Sequence, residues 1–115
     1  MTNKPEITES LIDLAKTLII GGVVTSSVDD APQKSGGYTV EDLESIREST
    51  DLHRIANAWV SAAIDANWNR AGAESKTGNE LWQDLMYTLN GGCVAIGRKL
   101  RAGASVDDIV AEVTR

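Results

Sequence analysis

A chain of 115 residues, 42% hydrophobic and 24% charged, is long enough to bury roughly two thirds of its unfolded surface around one core without a disulfide or metal, and its composition argues against wholesale disorder. The 17 Asp and Glu against 11 Lys and Arg give a formal charge of −6, which repels phosphate backbones and weighs against non-specific nucleic-acid binding. The lone cysteine, Cys93, excludes an internal disulfide and suits a reducing, cytoplasmic compartment.

In chain order, the first helix is expected to begin near Pro5, whose missing N–H costs nothing at a first helical position. Ile7, Leu11, Leu14, Ala15 and Leu18 form its apolar stripe, widened by Ile12, Ile19, Ile20, Val23 and Val24. Gly21 and Gly22 each cost about 1 kcal/mol relative to Ala, so they are expected to end this helix; the other reading is that they admit a close neighbour. Glu6 and Glu9 precede the apolar run and Asp13 and Lys16 interrupt it, which fits neither a signal peptide nor a membrane span. The turn formers between Thr25 and Tyr38 predict a flexible loop over 25–38, in which Asp29 and Asp30 are solvated rather than metal-binding.

Thr39 reads as an N-cap, with Glu41, Asp42 and Glu44 at the positive end of the helix dipole. Val40, Leu43 and Ile46 continue that helix, but Leu52, Ile55, Ala56, Trp59 and Ala63 fall out of phase with them, and Ser49-Thr50-Asp51 supplies a new cap. The spacing therefore predicts a short helix over 40–48 and a longer one over 51–70, the latter alanine-rich so that a neighbour can approach closely. Gly72 stops it, and Ser75 or Thr77 caps the central helix, Leu81 to Leu100. Gly103 fits a C-terminal glycine cap, and Ser105 with Asp108 opens a last helix with Val106, Ile109, Val110 and Val113 inward. No stretch alternates at strand period and no repeat is visible.

The expectation is an all-α bundle, one domain over 1–115, with about five or six helices. The 51–70 and central helices should pair antiparallel, with the first and last closing the core. Trp59, Trp68 and Trp82 are expected at packing sites. The pairs Gly21-Gly22 and Gly91-Gly92 suggest a close crossing of the first and central helices or of two copies of the chain, hence a possible homodimer.

Several patterns invite chemistry and fail on spacing. Asp65, Asn67 and Asn69 alternate as calcium-loop ligands do, but Arg70 stands where glycine is needed and Lys76 where a bidentate glutamate is needed. Gly92 and Gly97 lack the Lys-Ser/Thr ending of a phosphate loop. The segment around Gly103 has the rhythm of a helix-turn-helix, but Asp107, Asp108 and Glu112 would face phosphates. His53 and Cys93, with Asp51 as orienting carboxylate, are nucleophile-and-base types that nothing in the sequence brings together. No catalytic residue, metal site or cofactor is expected.

The leading functional expectation is a small acidic, non-enzymatic interaction protein, an adaptor or inhibitor. Its negative surface at Glu41, Asp42 and Glu44 would meet a basic protein partner, in one variant by occupying a nucleic-acid-binding surface. Arg98, Lys99 and Arg101, the only basic concentration, would compensate a helix dipole or meet an acidic group. The alternative is a small anionic-ligand binder or minor enzyme, with a pocket lined by Trp59, Trp82 and Tyr87 and with Arg54 or Arg98 meeting the anion. A DNA-binding module comes third.

Overall fold

The computed structural model describes residues 4–25 and 40–115; the readings placed on 26–39, including the loop, Asp29, Asp30 and the Thr39 cap, lie outside the described residues. The fold is all-α. The helices are α1 (Glu9–Thr25), α2 (Val40–Glu48), α3 (Thr50–Trp68), α4 (Gly78–Arg101) and α5 (Val106–Val113), with a 3-10 turn at Ala73–Ser75 before α4. There is no strand among the described residues.

Most helix ends follow from side chains that satisfy the backbone groups a helix leaves unpaired. Ser49 separates α2 from α3 because its Oγ accepts from the Leu52 N–H at 3.1 Å and donates to the Ile46 carbonyl at 2.7 Å. At α4, Thr77 Oγ1 accepts from the Glu80 N–H at 3.2 Å while Glu80 Oε1 accepts from the Thr77 N–H at 3.3 Å, a reciprocal capping box. Thr77→Ala removes both the hydroxyl acceptor and the geometry that brings Glu80 back. It is expected to lower stability by about 1 kcal/mol in urea unfolding with an unchanged denaturant slope. Gly103, at φ 91°, closes α4: its N–H donates to Leu100 and that of Ala104 to Lys99, at 3.1 and 3.0 Å, the paired bonds of a Schellman end. Ser105 Oγ then accepts from the Asp108 N–H at 3.1 Å and starts α5.

The first helix departs from expectation at both ends. It starts at Glu9, not near Pro5, because Thr8 Oγ1 accepts from the Leu11 N–H at 3.2 Å; a hydroxyl that satisfies a donor outweighs a proline that merely lacks one. It also runs through Gly21 and Gly22 to Thr25. Gly22 is buried against α4, where an added Cβ would stand 2.8 Å from the Val94 carbonyl oxygen. Close packing there and burial of Val23 at 2% exposure offset the helix cost of glycine.

That contact changes the expected pairing. The most extensive helix pair is α1 with α4, not α3 with α4, because Gly22 meets Gly97 and lets two backbones approach without intervening side chains. The two run parallel: Arg101 at the end of α4 reaches the Val23 carbonyl near the end of α1, while Lys4, ahead of α1, pairs with Asp65 near the end of α3. α3 and α4 are antiparallel as expected, with Leu52 and Ile55 beside Leu100 at one end and Asn67 bonded to Thr88 toward the other. α5 folds back along α4, where Lys99 pairs with Glu112, and crosses beside α3, where Arg54 pairs with Asp107 at 2.8 Å.

The core between these helices is aliphatic, centred on Ile19, Leu52, Ile55, Val60, Leu85 and Leu89. Of the three tryptophans expected to anchor packing, Trp59 does so: its indole lies over Gly92 and its Nε1–H donates to the Leu89 carbonyl at 3.1 Å. Trp82 does not, being 49% exposed. α4 continues as one helix through Gly91 and Gly92. No described helix is long and apolar enough to cross a membrane.

Candidate functional site

The potential nucleophile is sealed off. Cys93 is completely buried, and burial pushes its thiol up to about 12, against a smaller opposing pull from a hydrogen bond with the Trp59 side chain. His53 and its proposed orienting carboxylate Asp51 are exposed on the first turn of α3. The structure thus keeps apart the pair that nucleophilic catalysis would need together. A thiol held neutral in the folded state ionises only on unfolding between its ordinary pKa of 9.0 and about 12. The unfolded state then binds fewer protons than the native one, so this group contributes a stability loss as pH rises through that window, up to about 1.4 kcal/mol per pH unit. Cys93 is expected to resist an aromatic disulfide reagent in the native protein at pH 8 and to react fully in guanidinium; Cys93→Ala should flatten the alkaline stability curve measured by denaturant titration.

The other patterns resolve into helix ends. Asp65 takes Lys4 at 2.5 Å, Asn67 is buried with its Nδ2 donating to the Ala63 carbonyl at 2.9 Å and to Thr88 Oγ1 at 3.1 Å, and Asn69 is the C-cap of α3. They form no cation loop. Gly92 and Gly97 sit inside α4, and α4 with α5 forms an antiparallel hairpin whose second helix opens with exposed Asp107 and Asp108. Among the described residues no three of His, Cys, Asp and Glu gather as a metal site.

The basic trio is dispersed. Lys99 is paired with Glu112, whose carboxyl it holds below the usual range; Arg101 is half-buried, with Nη1 donating to the Val23 carbonyl at 2.8 Å; Arg98 is exposed. The proposed ligand pocket does not assemble either. Tyr87 is 86% exposed, Trp59 covers Gly92, Arg54 pairs with Asp107, and neither these residues nor Trp82 line the grooves described next.

Two of the open grooves among the described residues bear on binding. One, about 480 Å³, runs along the alanine face of α3 at Ala58, Ala62 and Ala66 and is edged by Ser61, Asp65, Asn69 and the chain from Val113 to Arg115. The other, about 290 Å³, is a trough where α2, α3 and the α4–α5 corner meet, with Leu52 and Ile55 on its floor and Ile46, Leu100 and Val106 in its walls, alongside Ser45, Ser49 and Asp51. The first predicted acidic residues stand beside it: Glu41 and Glu44 are exposed on α2 and Asp42 is half-exposed. Glu48 and Asp51 extend that acidic face and were not singled out in the sequence as binding residues. Helical spacing from Glu41 and Glu44 would have found Glu48, at i+7 and i+4.

Comparison with protein-family models, curated proteins and solved structures finds no match for this chain.

Proposed function

We propose that this chain is a small non-enzymatic interaction protein that binds a basic protein partner, as an adaptor or an inhibitor. The observation that carries the reading is the exposed face of α2, where Glu41, Glu44 and Glu48 fall on one side with Asp51 just beyond the Ser49 cap. Four carboxylates on adjoining turns attract a cationic surface over about a Debye length and orient it before contact. The buried, high-pKa thiol of Cys93 supports a binding role over covalent catalysis. Where the partner is itself a nucleic-acid-binding protein, such a carboxylate array stands in for phosphates.

The test is affinity capture from the source cell, followed by titration of the captured protein at several salt concentrations. The dissociation constant is expected to rise steeply with salt and to weaken by about tenfold when Glu41, Asp42 and Glu44 are all changed to Gln, roughly 0.5 kcal/mol per charge removed. A dominant partner whose binding responds to neither change overturns the reading.

A further inference from the structure

We propose that the trough between α2, α3 and the α4–α5 corner receives the apolar face of a basic amphipathic helix from the partner protein. This rests on the reading of a basic partner and assigns where and how that partner engages.

The trough pairs an apolar interior with a negative mouth. Leu52 and Ile55, 2% and 1% exposed, form a floor that packing in this chain has already fixed, whereas Ile46, Leu100 and Val106 remain half-buried walls with open space between them. Apolar walls facing water favour an apolar occupant, because its entry removes surface from solvent on both sides. Ser45 lines the trough and is exposed on α2. Glu41 and Glu48, four residues before it and three after, share its face, and Glu44 adjoins it. Asp51 is itself in the wall.

Among the described residues, the nearby cations are directed away from the α2 side of this rim. Arg47 turns to α1, its Nη1 donating to Thr17 Oγ1 at 2.6 Å. Arg54 is held by Asp107 and Lys99 by Glu112. Arg98 precedes Leu100 by two positions, which places it about 200° around α4 from the trough wall. An occupant therefore needs an aliphatic stripe at i, i+3, i+4 and i+7 to enter the trough and Lys or Arg on the flank that meets α2 and Asp51.

Two synthetic helical peptides of identical composition test this, one with leucines on a single face among lysines, the other scrambled so that no face exists. The faced peptide is expected to bind about tenfold more tightly and to shift the methyl resonances of Ile46, Leu52, Ile55, Leu100 and Val106. Ser45→Phe, a change at an exposed position that fills the mouth, should reduce it to the scrambled level. Equal binding of both peptides, with shifts confined to Glu41, Glu44, Glu48 and Asp51 and the trough methyls unmoved, overturns the trough assignment and leaves the charge-based reading standing. Binding of the faced peptide at Tyr87 and Val94, or full affinity of Ser45→Phe, does the same. Trough methyls that shift with protein concentration alone make a second copy the occupant and likewise overturn it. Failure of both peptides at low salt overturns this proposal and the basic-partner reading together.

Discussion

Gly97→Leu is expected to abolish the native fold, whereas Gly91→Ala, six residues earlier on the same helix, is expected to stabilise it. At Gly97 the first side-chain carbon would stand 2.6 Å from the Val23 nitrogen and 2.7 Å from the Gly22 carbonyl carbon. These are backbone atoms of α1, which no rotamer change can move aside. The cost exceeds the roughly 1–3 kcal/mol of ordinary overpacking, because the α1–α4 crossing must open and expose Ile19 and Val23, both buried. An added Cβ at Gly91 meets nothing within 4 Å, so its effect is that of helix propensity, a gain of about 0.5–1 kcal/mol and a melting temperature higher by several degrees. Thermal melts followed by circular dichroism check both. A Gly97→Leu protein that melts like the wild type would sink the account of the crossing. A Gly91→Leu variant with altered mass in light scattering would instead point to the contact between copies that the small residues suggest.

Trp59→Ala should cost about 3 kcal/mol, toward the low end for a large aromatic because the ring is only partly buried. Its role can be isolated through Gly92. A Cβ at Gly92 would lie 2.8 Å from one indole carbon and closer still to two more, so Gly92→Ala is expected to destabilise the wild type. With the indole removed, the same change relieves a cavity and replaces a helical glycine, and its sign should reverse to a gain of about 1 kcal/mol. Equilibrium urea unfolding of the two single variants and the double variant measures the coupling; additive values would mean that the indole and the glycine do not meet.

These two sites also mark where sequence reading succeeds and where it stops. Boundaries set by a local side chain were legible: Ser49, Thr77 and Ser105 open helices and Gly103 ends one, because each acts on backbone groups within about four residues. Propensity alone ends the first helix at Gly21 and Gly22 because it is a local cost, whereas the compensation at Gly22 comes from Val94 and Gly97, more than seventy positions away. The need for small residues at a helix crossing was visible, but not that Gly97 would take that role while Gly92 received Trp59. Pairing partners are set by the rotation of α4 against two neighbours at once. The acidic face of α2 was partly legible at Glu41, Asp42 and Glu44. The trough was not, since its lining comes from four helices. Its one trace in sequence was the phase slip between Ile46 and Leu52, which turns α2 away from the line of α3 and leaves the space between them.

The corner at Gly103 carries a consequence for local unfolding. α5 has 8 residues and a single fully buried side chain, Ile109, and a helix of that length has no stability in water apart from its docking. Its detachment therefore needs much less free energy than global unfolding, and its amides should exchange through a sub-global opening that leaves α1, α3 and α4 protected. Val106 belongs to both α5 and the trough wall, so each opening removes one side of the trough. A molecule seated there binds only the closed form, which makes protection of the α5 amides a direct reporter of occupancy.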